Sequence, residues 1–320
     1  MRIGMGQRAN LVIVEAGRRT LYYDHWCANR LDEELFWGPE EALHFIRQLE
    51  PSPSEDEWLD ERWCEGAAVV DVGRHILVFF GGENVLFDAR ERRVCLDLLR
   101  RQWEGWEVRW GPEGIMSIAD YLDMPRAQFA AEGMPVPSPF IARESGGLLV
   151  TEIQRGALRL GRVEGRHPSL EVGPAALEGV WWHRDVTFGD YFPRGGIHLD
   201  RDARRLMTWW AADSSDTRNR LAAGWRGWTV DWRYDDYDPH VALCGAALSL
   251  PPFDLAEAQR KLLDRLEPHL EDAPPRNPAR DANLGENVEI NAWTDHSRGR
   301  EHGERKRAIL EGLRKPGHGA

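Results

Sequence analysis

Two short stretches, GWEVRW at 105–110 and GWTVDW at 227–232, constrain this chain more than any other feature. Alternation puts Trp106, Val108 and Trp110 on one face of a strand, and Trp228, Val230 and Trp232 on the matching face of another. Each stretch follows a helical segment ending in tryptophan, at Trp103 and Trp225. A long chain that repeats itself this way points to an internal duplication.

Upstream of each aromatic strand lies a hairpin. GAAVVDVGRHILVFF (66–80) matches GGIHLDRDARRLMTWW (195–210) with one extra residue in the second, so Phe79–Phe80 falls opposite Trp209–Trp210. Downstream, GPEGIMSIADYL (111–122) parallels DPHVALCGAAL (238–248), each with Pro at its second position, where a first helical turn accepts it. The match extends back to NLVIVEAGRRTLYYDHW (10–26) against GLLVTEIQRGALRLGRV (147–163), with Glu15 on Glu152 and Leu21 on Leu158. Gly38–Pro39 likewise parallels Gly173–Pro174. The spacing of Ala42, Phe45, Ile46 and Leu49 predicts a helix over 39–50. Val94, Cys95, Leu98 and Leu99 predict another over about 86–103.

The expected class is α+β: a tandem duplication of an antiparallel hairpin-helix-hairpin-helix-strand-helix unit with pseudo-two-fold symmetry. The first unit spans 1–124, a linker 125–146, the second unit 147–253, and a C-terminal helix, loop and basic tail 254–320. Asp254 with Glu257 is a capping-box-like start for that helix. NVEINAW (287–293) reads as a further strand and Glu304–Leu313 as a short helix.

Composition excludes several roles. With 42% hydrophobic and 29% charged residues the chain is globular, and no apolar run approaches the ~20 residues of a membrane span. Leu11–Val14 is far shorter than a signal-peptide core, so the expected location is cytoplasmic. The net charge of -12 argues against a general nucleic-acid binder. Cys27, Cys64, Cys95 and Cys244 lack C-x-x-C spacing and are expected as free thiols.

Chemistry-bearing residues concentrate in YYDHWCANR (22–30). On a continued strand, Tyr23, His25, Cys27 and Asn29 share a face. Neighbours two apart on that face stand ~6.5–7 Å apart, whereas a nucleophile and its base need ~2.6–3.2 Å. Local spacing therefore speaks against a self-contained Cys–His dyad. The expected partner hairpin places Leu160 near Tyr23, Arg162 near His25 and Glu164 near Cys27, so this polar row belongs to one copy. Asp71 and Asp200 are paired by the repeat, and each sits where a hairpin turns, as Asp does when it bonds turn backbone. His183, Asp185, Asp190, His198, Asp200 and DDYDPH (235–240) supply nitrogen and oxygen donors but no metal-site spacing. No metal and no cofactor is assigned. Phosphate-loop, G-x-S-x-G and zinc-deaminase signatures are absent.

GQRANLVIVE…LYYDHW (6–26) resembles the opening of a loose group of uncharacterised bacterial proteins, in which a G-x-R-A-x stretch leads a hairpin ending in His-Trp. The resemblance covers about the first tenth of the chain and brings no activity with it. It implies that Gly6, Arg8, Asn10, His25 and Trp26 are recurring positions and that Met5 is a start.

Two function classes remain. One is a cytoplasmic bacterial binding or interaction protein, immunity-type among the options, holding an unknown protein or small ligand in a groove between the units. The other is a small-molecule or peptide hydrolase with its site around His25 and Cys27. The candidate site residues are Arg8, Asn10, Tyr23, Asp24, His25, Cys27 and Asn29.

Overall fold

The computed structural model describes residues 7–130, 147–163, 170–210, 224–267 and 303–314, apart from 55, 87 and 190. The second half of the expected linker, the loop at 272–287 and the strand at 287–293 lie outside the described residues. Helices and mixed sheets make the class α+β.

The first sheet begins with a hairpin, β1 (Ala9–Glu15) and β2 (Arg18–Asp24). The chain then forms a 3-10 turn (Ala28–Arg30) and two short helices, α1 (Leu31–Leu35) and α2 (Pro39–Arg47). It returns as a second hairpin, β3 (Gly66–Asp71) and β4 (Ile76–Phe80). Helices α3 (Glu83–Leu86) and α4 (Ala89–Gln102) lead to β5 (Glu107–Trp110), and α5 (Ile115–Tyr121) closes the run. Asp88 caps α4 by accepting from the backbone N–H of Arg90 and Glu91.

The second sheet repeats the pattern with β6 (Leu148–Gln154), β7 (Ala157–Val163), β9 (Gly195–Asp200), β10 (Arg205–Trp210) and β11 (Thr229–Trp232), and the short β8 (Val186–Thr187) lies between β7 and β9 in the chain. Helix α6 (Asp238–Cys244) and β12 (Leu248–Ser249) follow. Strand order is β2-β1-β3-β4-β5 in one sheet and β7-β6-β9-β10-β11 in the other, while β8 and β12 pair separately.

Hairpins pair antiparallel, as expected, but both sheets are mixed. β1 pairs β3 and β4 pairs β5 in parallel, and β6–β9 and β10–β11 do the same. Parallel neighbours need long crossovers, and the helical connections between hairpins supply them. The register also corrects three sequence alignments. Ala9 pairs Gly66 and Leu148 pairs Gly195, so Ala9 corresponds to Leu148 and Tyr23 to Arg162, two residues from the expected match. Ala67 pairs Phe80 and Gly196 pairs Trp209, so the second hairpins match with no extra residue and Phe80 corresponds to Trp209. Pro112 precedes α5, whose N-cap is Gly114, whereas Pro239 lies in the first turn of α6.

Leu11, Ile13, Ala68 and Phe79 pack beneath α1, α2 and α4, with Val94, Cys95, Leu98 and Leu99 inward as their spacing predicts. Val12, Val69 and Phe80 pack on the opposite face against α5. In the second sheet, the counterpart of α2 is a 3-10 segment, Leu170–Leu177, broken at Gly173 (φ 78) and Pro174. A Cβ on Gly38 (φ 98) would come within 2.8 Å of the Gln102 carbonyl oxygen, and one on Gly173 would overlap that of Gly224. Glycine is therefore needed at both places.

The C-terminal helices α7 (Leu255–Leu266) and α8 (Gly303–Arg314) cover the first sheet's helical face. Asp254 caps α7 through the Glu257 N–H. Between the halves, buried Arg92 pairs with Asp235 at 3.3 Å, and Arg93 with Asp238 at 2.8 Å. DDYDPH is thus an ion-pairing segment. Among the described residues, no helix is long and apolar enough to cross a membrane.

Candidate functional site

The strand carrying the candidate residues ends earlier than alternation implies. Asp24 is 2% exposed, and its Oδ1 accepts from Trp26 N at 2.7 Å and Cys27 N at 2.8 Å. That side-chain turn stops β2 and starts the 3-10 turn. Cys27 therefore leaves the shared face and points into the core, fully buried. Burial pushes its thiol well above the ordinary cysteine value, and the Asp24 charge adds to it. Thiolate chemistry has the reverse requirement.

Tyr23 and His25 stay together at the surface. The Tyr23 hydroxyl lies 2.7 Å from His25 Nδ1, and the His25 ring meets Trp26 edge-on at 4.7 Å. Arg8 stacks over Trp63 at 4.6 Å. Its backbone N–H donates to Glu65 Oε2 at 2.8 Å. Burial and then the Arg8 charge hold His25 below the ordinary histidine value. Burial raises the Tyr23 phenol, with Arg8 pulling the other way. Trp26 and Trp63, at 37% and 43% exposed, flank the cluster.

Asn10 lies beneath as an anchor. It is fully buried, and its Oδ1 accepts from Leu59 N at 2.8 Å, fixing the segment that presents Trp63. Asn29 sits half-buried on the 3-10 turn, with Oδ1 unpartnered among the described residues. The structure thus brings Arg8, Tyr23 and His25 together, adds Trp26, Trp63 and Glu65, and separates off Asp24, Cys27 and Asn29.

A second polar group, of which sequence reasoning named His198 and, within DDYDPH, His240 as donors without joining them, fills the corresponding face of the second sheet. Trp209 Nε1 donates to His240 Nδ1 at 3.0 Å. Thr151 Oγ1 stands 2.7 Å from His240 Nε2 and 2.8 Å from His198 Nδ1. Indole only donates, so His240 Nδ1 must accept and Nε2 carries the proton of the neutral ring. Nε2–H then donates to Thr151, whose hydroxyl donates to His198. Burial, then His198, lowers His240 to about 3. The first sheet carries Val12, Val69 and Phe80 where the second has Thr151, His198 and Trp209. Comparison of the halves in the correct register is the signal that exposes this chain. A Cβ on Gly196 would overlap both Trp209 Nε1 and His240 Nδ1.

Of the remaining candidates, Asp71, Asp200 and His183 have structural partners, and Asp190 lies outside the described residues. Asp71 Oδ1 accepts from Arg74 N and Asp200 Oδ1 from Ala203 N, at 2.9 and 2.8 Å, so both carboxylates cap turns. His183 bridges β7 through backbone bonds to Leu160. Among the described residues, no group of three or more His, Cys, Asp or Glu side chains could hold a metal ion. A hollow lined by Val12, Arg19, Leu21, Asp56, Trp58 and Met124 encloses about 50 Å³, far below the ~300–1,000 Å³ of ligand pockets.

Comparison with known proteins gives no match, whether to a family model, a curated protein or a solved structure.

Proposed function

We propose that this chain is a cytoplasmic bacterial binding protein built from a tandem duplication with pseudo-two-fold symmetry, one half of which kept a recognition surface. The observation that carries this reading is the pair of exposed indoles, Trp26 and Trp63, held around Arg8, Tyr23 and His25. Amphipathic aromatics beside a guanidinium offer both apolar contact and hydrogen bonding. The corresponding strand of the second sheet carries Arg162 where the first carries Tyr23, in line with divergence of one copy. The net charge of -12 suits a basic partner, as an immunity-type role would require. The hydrolase reading requires a reactive Cys27, and the sealed, high-pKa thiol gives it no support.

The test is an indole N–H NMR titration with short acidic, basic, neutral and aromatic peptides. Selective shifts at Trp26 and Trp63 that disappear in Arg8→Ala support the proposal. Shifts confined to other indoles, or none with any class, overturn it.

A further inference from the structure

We propose that α7 is a pH-responsive strap, seated over a buried carboxyl group of α1 and released more readily as that group ionises. Leu262, Leu263 and Leu266 press the helix into the first core cluster, and α7 packs on α4. The same cluster holds Leu31 and Leu35 of α1, and beside them Asp32, within electrostatic reach of Arg265, is 1% exposed with neither carboxylate oxygen hydrogen-bonded among the described residues. Its Oδ1 lies so close to Gly82 that a Cβ there would overlap it. Arg265 faces it from α7, with an Nε that also has no hydrogen-bond partner among the described residues.

Only the backbone N–H groups of Asp32 and Glu33 favour the carboxylate, and weakly, so most of the cost of its desolvation stands. Burial, and then the neighbouring Glu33, raise Asp32 to about 7, while Arg265 opposes them. Cys95 of α4 also faces the slot and stays neutral, its thiol raised by burial and by the Asp32 charge. Glu91 of α4 feels Arg265 and Lys261 from α7, with Asp88 and Arg90 nearby. Lifting α7 would admit water to Asp32 and return it toward the ordinary value of 3.8.

The sign follows from linkage. The seated state keeps its proton to about pH 7, whereas the lifted state loses it near 3.8. Opening therefore becomes about tenfold easier per pH unit across that window and levels off above it. α8 would move with α7, because Arg314 pairs with Asp264 and Glu267 of that segment.

Hydrogen-exchange protection factors at 262–266, measured on the full chain from pH 5 to 8, test the strap. We expect protection to fall about 50-fold between pH 5 and 7 and then flatten, while β1 and β3 keep theirs. Asp32→Asn should abolish the slope. Arg265→Gln should move the break to higher pH, and it decides the matter should Asp32→Asn not fold. A pH-independent wild type, a slope retained in Asp32→Asn, or a break unmoved in Arg265→Gln would each overturn the proposal.

Discussion

Trp103 and Trp225 occupy the same place in the two halves. Each indole N–H donates to a backbone carbonyl, Leu35 at 2.8 Å and Leu170 at 2.6 Å. Each ring meets a second tryptophan edge-on, Trp106 at 5.2 Å and Trp228 at 5.4 Å. Trp103→Ala or Trp225→Ala should cost about 3–5 kcal/mol in urea unfolding. Phe at either position should restore most of the packing and leave a loss of about 1 kcal/mol for the missing hydrogen bond. Unchanged midpoints would mean that these rings do not lock the helical segments to their sheets.

The buried histidines predict a pH dependence. His240 titrates near 6.5 when unfolded and about 3 when folded, so the unfolded chain takes its proton first. Stability is complete above 6.5 and is lost as pH falls through that window. At pH 5 the loss from His240 alone is about 2 kcal/mol, and His198 shifts in the same direction. Denaturation at pH 7 and 5 measures it. His240→Leu should start less stable, with Trp209 unpaired, but show a shallower pH slope.

Corresponding positions should respond differently to one methyl group. Gly196→Ala drives a Cβ into Trp209 and His240 and should cost about 1–3 kcal/mol. Ala67→Gly, at the matching position in the first sheet, should cost about 1 kcal/mol through backbone entropy and a lost buried methyl. Thermal unfolding of both variants compares them directly.

Thiol labelling checks the fate of the opening cluster. All four cysteines are buried, so a thiol reagent should react negligibly with the native protein and with four groups after denaturation. Rapid native labelling of Cys27 would contradict its place in the core.

Much of the framework is legible in local periodicity. The α4 face, the Asp254 cap of α7, the Asp71 and Asp200 turn caps and the aromatic strands all fall where spacing puts them. The two-residue slip in the first hairpin had a physical cause. Side chains alternate with period two, so sliding Tyr23 from Leu160's expected partner to Arg162's keeps every face unchanged. At the second hairpin, adjacent Trp209 and Trp210 offer two equally aromatic partners for Phe80, and only the ladder chooses Trp209.

The candidate site divides in the same way. The sequence by itself determined that Tyr23, His25, Cys27 and Asn29 are close in space, because covalent connection guarantees it. It also determined the α+β class and the repetition of strand and helix, because those rest on local hydrophobic period. The Asp24 turn is local, its side chain reaching only two and three residues ahead, but tertiary structure alone decided that Cys27 beyond it would be sealed in the core, and that Arg8 and Trp63 would join Tyr23 and His25. It decided equally that Thr151, His198, Trp209 and His240 would meet. Hydrogen bonds between distant segments and removal from water set those outcomes, and neither depends on spacing along the chain.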